Sequence, residues 1–326
     1  MRMIPGDSTN NEFDIIPYSE SKKKEWDDFV TSSKNATFIL SRDYMDYHAD
    51  RFADSSLIFY RKGKIYALLP ASRSGDKICS HAGLTYGGLV MSAGSTVADI
   101  LHITKLFINH FRREGIRQII YKPIPHIYHT LPAEEDLYAL FRNGATLTAR
   151  NVASVISNER RVKFRDIRKS GIRKALRAGV SVSETSDFKT FWNLLSANLY
   201  DKYGASPVHS VAEIEMLASK FPSGIRLFGA FKDEKMIAGT VIYATPSVAH
   251  CQYISASPEG KSSGALDLVF DRLINSVFSD IRYFDFGTSN ENGGMTLNES
   301  LIYQKEGFGA RAICYDTYLI NLSDHK

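Results

Sequence analysis

The stretch that decides the fold runs from residue 225 to residue 283: IRLFGAFKDEKMIAGTVIYATPSVAHCQYISASPEGKSSGALDLVFDRLINSVFSDIRY. Residues 225–232 and 236–243 are β-rich runs joined by Asp233-Glu234, a hairpin signal. A third strand spans 250–255 and breaks at Ser257-Pro258-Glu259-Gly260-Lys261-Ser262-Ser263-Gly264. A helix is predicted next, because Leu266, Val269, Phe270, Leu273, Ile274, Val277 and Phe278 recur as one apolar stripe. Residues 281–286 return as a strand ending at Gly287. A strand entering a glycine turn and a helix start aims backbone N–H groups at one point, an anion-binding mouth. A bare strand-to-helix connection has the same sequence signature.

The same order occurs upstream. Residues 57–61 and 64–71 read as a hairpin across Lys62-Gly63, followed by the glycine-rich SHAGLTYGGL at 80–89. A helix at about 96–114 has Val97, Ile100, Leu101, Thr104, Phe107, Ile108 and Phe111 on its inner face, and a strand follows at 116–121. Ala98-Asp99-Ile100-Leu101 and Ala265-Leu266-Asp267-Leu268 open the two helices at an offset of 167, and Ile116 and Ile281 open the two strands at an offset of 165. Near-equal offsets over matched elements predict a duplicated α+β topology with mixed sheets, in domains 1–150 and 151–326.

Composition is that of an ordinary globular protein, with 44% apolar and 23% charged residues over 326 positions. Residues 1–20 are polar and lack a signal-like apolar stretch, and no apolar run reaches membrane-span length. Cys79, Cys251 and Cys314 are few and scattered, which predicts neither disulfides nor a metal site. A cytoplasmic setting follows as the expectation. The net charge of +4 conceals a basic element. Residues 159–179 carry nine basic residues against Glu159 and Asp166, a net of +7, which leaves −3 for the rest. That segment is read as a helix presenting Arg168, Arg173 and Lys174 to an anion; a solvated helix face is the alternative. Elsewhere, helices are expected at about 21–31, 41–52 (with Ser41 as N-cap), 134–143, 187–203 and, behind the capping box Ser210-Val211-Ala212-Glu213, up to Phe221.

Three stretches carry a family resemblance. Residues 257–264 resemble the pyrophosphate loop of the GNAT acyltransferase superfamily, with Glu259 where Gln or Arg is usual and Ser262 in place of the middle glycine. KSGIRKALRAGVSV (169–182), YISASPEGKSSGAL (253–266) and DFGTSNENGGMTLNESLIYQKEGFGA (285–310) resemble the Fem-type aminoacyltransferases, which carry two tandem GNAT-like domains. The resemblance implies direct transfer of an acyl or aminoacyl group onto the amine of an anionic acceptor, such as a cell-envelope (peptidoglycan) precursor in a bacterium. The donor would be acyl-CoA or aminoacyl-tRNA, undecided between them, with no tightly bound cofactor and no metal. A coenzyme A-dependent N-acyltransferase acting on a nucleotide-linked amino sugar, and a non-catalytic anion- or RNA-binding module, remain as alternatives.

The resemblance also assigns residues. Gly260, Lys261, Ser262, Ser263 and Gly264 would hold the donor, and backbone N–H groups of splayed strands at 250–255 and 281–286 would hold its carbonyl. Lys305 matches a lysine that stabilises charge at the transferred carbonyl, although Gln304 stands where an aromatic residue is usual; a surface lysine beside Glu306 is the alternative. From their own positions, apart from the resemblance, Asp285 at a strand end is read as orienting the amine or accepting its proton, with Glu299 as the other candidate base; the alternatives are a turn cap and a first-turn helix glutamate. Tyr253, by strand alternation, with Thr288 and Asn298 would line the acceptor side; a core aromatic is the alternative for Tyr253. No DNA partner is expected; tRNA and a peripheral membrane contact are left open.

Overall fold

The computed structural model describes residues 13–322. The first twelve residues of the polar leader lie outside the described residues. The chain divides into two compact units, one of residues 1–148 with 316–326, the other of residues 149–315.

The first unit opens with β1 (Asp14–Pro17) and α1 (Lys23–Ser32), which buries Trp26 and Val30. The helix expected over 41–52 shrinks to α2 (Arg42–Met45) with a 3-10 turn on either side. The Ser41 hydroxyl turns back to Phe38 O, 2.7 Å away, and makes no cap bond to the helix. There follow β2 (Ala53–Asp54), β3 (Leu57–Arg61), β4 (Lys64–Leu69), β5 (Ser72–Ser74), β6 (Lys77–Cys79) and β7 (Val90–Met91). Lys62 and Gly63 have φ of 52° and 72°, the two left-handed positions of a tight hairpin turn. Then come α3 (Val97–Arg113), β8 (Gln118–Tyr121) and α4 (Glu135–Arg142). Thr96 caps α3 through the Asp99 amide. Ile100, Ile103, Phe107 and Phe111 bury one stripe of α3, whereas Val97 in the uncovered first turn is 47% exposed.

The second unit holds β9 (Thr146–Ser157) from residue 149 onward, α5 (Asp166–Arg177), β10 (Ser181–Thr185), α6 (Phe188–Tyr203) and α7 (Val211–Lys220). The Ser210–Glu213 capping box is present, with both reciprocal bonds. Next are β11 (Ile225–Lys232), β12 (Lys235–Ala244), β13 (Val248–Ala256), α8 (Pro258–Ser263), α9 (Ala265–Arg272) and β14 (Tyr283–Thr288). The ribbon β15 (Asn290–Glu291)/β16 (Thr296–Leu297) and α10 (Glu299–Glu306) complete it with the first half of β17 (Arg311–Asn321), whose residues from 316 onward belong to the first unit and pair antiparallel with β8. Within this unit the strand order is β10-β11-β12-β13-β14-β9, antiparallel throughout except for the parallel pair β13/β14.

Each unit therefore contains a hairpin, then a strand, a helix and a parallel strand: β6 pairs parallel with β8 across α3, as β13 does with β14 across α9. This is the duplicated mixed α+β topology expected from the sequence. The core of the second unit lies between the sheet and α9, where Val269, Phe270 and Ile274 meet Phe284, Phe286 and Phe308. The apolar stripe over 266–278 is not one regular helix. Residues 273–277 widen into a π turn, which leaves Val277 only partly buried and returns Phe278 to the core.

Candidate active site

The site follows from a failure of strand pairing. β13 and β14 pair only at Val248–Tyr283, Ala249–Phe284 and His250–Asp285, and beyond that register they part. In β13, Tyr253 is opposite Val241 and Cys251 is opposite Ile242, so Gln252 is an extra residue, a β-bulge. Past His250, the edge of β13 facing β14 has no strand partner among the described residues. Its backbone groups open into the fork, the arrangement expected for holding an acyl carbonyl.

The bulge also decides which side chains face the fork. Cys251 and Ile254 belong to the core against α9. With one residue inserted between them, His250 and Tyr253 both lie on the opposite face. In β14, Phe284 and Phe286 point into the same core, which turns Asp285 toward His250.

At the last paired register His250 Nδ1 lies 2.8 Å from Asp285 Oδ2. The Tyr315 hydroxyl donates to the same oxygen at 2.6 Å, and the Gly287 amide donates to Oδ1 at 2.7 Å. Asp285 is fully buried. Burial acts to raise its carboxyl, but the His250 ring, the Tyr315 hydroxyl and the Gly287 amide together hold it below its ordinary value. An ionised carboxylate only accepts, so the Nδ1–H of His250 donates to it, and Nε2 is the ring nitrogen not engaged by Asp285. The His250 side chain is 13% exposed, so Asp285 orients a partly accessible imidazole and is itself out of reach of an amine.

Lys305 is not a surface lysine. Only 5% exposed, it donates to Gly287 O at 2.9 Å, Thr288 O at 2.8 Å and the Ser289 hydroxyl at 2.9 Å. An ammonium has three protons, and all three are engaged by the turn that follows Asp285. Burial lowers its pKa to about 8, against the opposing pull of Asp285 and Cys251. The Cys251 thiol, also buried, is pushed up by burial and by Asp285.

The remaining sequence candidates divide. Thr288 joins the cluster through its carbonyl. Tyr253 shares the His250 face, where its hydroxyl bonds His209 Nδ1 and its ring meets Trp192 edge-on with centroids 5.1 Å apart. Asn298 caps α10 by accepting from the Leu301 amide at 3.1 Å, and its own amide donates to Ser289 O at 2.9 Å. Glu299, in the first turn of α10, is exposed and bonded to none of these groups among the described residues.

The expected donor loop is wound into α8, not held open. Ser257 caps it through the Gly260 amide at 3.0 Å. Lys261 Nζ donates to Asn198 Oδ1 at 2.9 Å, and Glu259 pairs with Lys232 at 2.8 Å. Ser262 and Ser263 donate to Glu259 O and Gly260 O of the preceding turn. A Cβ on Gly260 would meet Ile237 O at 2.2 Å, and one on Gly264, at φ +80°, would meet Gly171 O at 2.6 Å. Both glycines thus answer to close packing. Arg168 is likewise engaged: its guanidinium donates to Asp267 Oδ1 at 2.6 Å, holding α5 on α9. Arg173 and Lys174 are exposed.

His250 and Tyr315 escaped the sequence reading. The only signal for His250 was a histidine inside the apolar run VAHCQY, which points to Asp285 only once the parallel register is known. Nothing in RAICYDTYLIN marks Tyr315.

Fold and fork together define a tandem GNAT-like architecture. Residues 162–292, nearly the whole of the fork and its helices, match the Acetyltransferase (GNAT) domain family, so this segment is a GNAT domain of the acyltransferase class. Among solved structures, FemX superposes with a TM-score of 0.66 at 11% identity, covering 94% of this chain and 97% of that one. The C-terminal domain of a putative lysylphosphatidylglycerol synthetase from Agrobacterium fabrum gives 0.61 at 12% identity, covering 92% of each chain. A tandem GNAT protein from the clavulanic acid biosynthesis pathway gives 0.51 at 12% identity, covering 97% of this chain and 100% of that one. At such identities the likeness is one of fold. No curated protein matches the sequence. Among the described residues no helix is long and apolar enough to cross a membrane.

Proposed function

We propose that the second unit transfers an acyl group directly from a thioester donor of the acyl-coenzyme A class to an amine, with His250 as the base. The observation that carries this reading is the buried Asp285, fixed by Tyr315 and the Gly287 amide, holding His250 Nδ1 at the point where β13 and β14 part. The acyl carbonyl lies in the fork against the unpaired edge of β13. The amine attacks the carbonyl carbon, His250 Nε2 takes its proton, the carbon–sulfur bond breaks, and the thiolate leaves with that proton. Asp285 holds the imidazole tautomer and balances the imidazolium as it forms. Lys305 acts as a positioning residue: it locks the 287–289 turn, and with it the carboxylate, and adds positive charge behind the developing oxyanion. The GNAT match supports a coenzyme A thioester as donor, and nothing in the site favours an aminoacyl-tRNA. The acceptor class, an amine on an anionic cell-envelope precursor, is supported by the basic α5 and by the fold shared with FemX and a lysylphosphatidylglycerol synthetase domain.

The closed α8 favours a second reading, a non-catalytic anion-binding module, because the side chains that would greet a pyrophosphate are bonded within the protein. Free-thiol release from acetyl-coenzyme A, followed with glucosamine 6-phosphate, a dialanine peptide and spermidine as acceptors, separates the two. Amine-dependent release supports transfer. Release at the uncatalysed rate with every amine, together with unchanged thermal stability in acetyl-coenzyme A, supports the module.

A further inference from the structure

Away from the fork, the second unit has an open cavity of about 510 Å³ beneath α5 and the segment leading into it. Phe164 and Ile172 give it an apolar floor with Val162 at the edge, and Arg161, Lys163, Lys169 and Arg173 surround it. The far wall is the end of α9 and the π turn at 273–277, where Arg161 is fixed by bonds to Ile274 O at 2.8 Å and Asn275 Oδ1 at 2.7 Å. Asp271, the one acidic residue of the wall, already accepts from Asn275 at 2.8 Å, and Lys169 pairs with the exposed Asp166 at 3.0 Å. Lys163 and Arg173 are exposed and make no side-chain hydrogen bond or ion pair among the described residues, although the Arg173 charge acts on the exposed Asp166.

Two further side chains indicate what the cavity faces. Leu176 is 59% exposed and lies on the same helix face as Lys169 and Arg173, which precede it at i−7 and i−3. Val162 is 43% exposed at the rim. Aliphatic side chains projecting between cations are an uncompensated cost against water and against a soluble polyanion, but both sets are satisfied at an anionic lipid interface. RNA would ask for stacking faces. The one aromatic ring here, Phe164, is engaged edge-on with Phe308 at 5.3 Å.

We propose that this face docks on an anionic phospholipid surface, with one phosphodiester headgroup entering the cavity between Lys163, Lys169 and Arg173, and Val162 and Leu176 reaching into the interface. The surface brings the unit to a membrane without a spanning helix. Binding to vesicles is measured without acyl transfer, so its failure would leave the chemistry proposed for the fork untouched.

The test is co-sedimentation of the full chain with vesicles of phosphatidylcholine and phosphatidylglycerol at 7:3, against pure phosphatidylcholine. A basic residue near an anionic bilayer contributes about fivefold in partitioning. Wild type should bind the mixed vesicles only. Lys163→Glu/Arg173→Glu should bind them at least about twentyfold more weakly. Val162→Ser/Leu176→Ser, which keeps the charge, should lose several-fold. Thermal melts identify properly folded variants, and all four positions are exposed. Equal binding to both vesicle types would overturn the proposal. So would full binding by the serine variant together with displacement by inorganic pyrophosphate or by RNA, which would make the face a site for soluble anions.

Discussion

His250 and Asp285 face each other, 2.8 Å apart, at the last register pair before β13 and β14 separate. A histidine one residue earlier would lie on the core face, and one placed beyond the bulge would have no carboxylate opposite it. The dyad and the fork are thus set by the same piece of sheet geometry.

Lys305→Ala removes three hydrogen bonds, two of them, to the Gly287 carbonyl and the Ser289 hydroxyl, buried. An unsatisfied buried group costs about 1–3 kcal/mol, so the unit should lose roughly 2 kcal/mol or more, a fall in Tm of about 4 °C or more. Activity should fall in kcat, because the carboxylate that orients His250 loses its support. A melt unchanged within 1 °C or so would contradict the bonding described for Lys305.

The same residue makes a prediction in pH. Its folded pKa of about 8 lies below the ordinary 10.5. Below pH 8 both folded and unfolded chains hold the proton, so Lys305 contributes no slope. Between about 8 and 10.5 the unfolded chain binds more protons, and stability from this group rises with pH. Urea titrations of wild type and Lys305→Met across that window should show wild type gaining on the variant. A difference that stays flat would place the pKa elsewhere.

Tyr315→Phe keeps the ring and removes one donor to the Asp285 carboxylate. A hydrogen bond to a charged group is worth about 1.5–3 kcal/mol, and part of it should appear as a roughly tenfold loss in kcat with acceptor KM unchanged. Equal kcat values would make Tyr315 a packing residue only.

Gly171→Ala would bring a Cβ to 1.8 Å from Asp267 Oδ2, against the pair that Arg168 makes with that carboxylate. Breaking a buried ion pair costs about 3–5 kcal/mol at the upper end, so this variant and Gly264→Ala should both melt several degrees lower. A normal melt with a raised donor KM would instead restore a direct donor-binding role to the loop at 260–264.

Much of the fold was legible because period and punctuation agreed: the hairpins at Lys62-Gly63 and Asp233-Glu234, the α3 stripe, the Ser210 capping box and the matched offsets. The departures are local in one case and long-range in the others. The 41–52 helix failed because Ser41 bonds backward to Phe38. The 257–264 stretch reads as a glycine turn, but what its glycines pack against, Ile237 O and Gly171 O, comes from distant elements. For Lys305 the sequence offers a charge at the transferred carbonyl or a surface lysine, and its burial is invisible locally because its three acceptors lie sixteen to eighteen residues away in the chain. His250 and Tyr315 gain their meaning only from strand order, which no local pattern encodes.

The central claim is that His250 is the base of an acyl transfer at the fork. The most direct measurement is single-turnover acyl transfer by wild type and His250→Ala, with an acceptor amine that supports thiol release. General-base catalysis contributes about a hundred- to ten-thousandfold. The variant should lose at least a hundredfold in the chemical step, bind donor as before, and lose the dependence on a titrating imidazole in its pH profile. A single-turnover rate within about twofold of wild type, with the same pH profile, would contradict it.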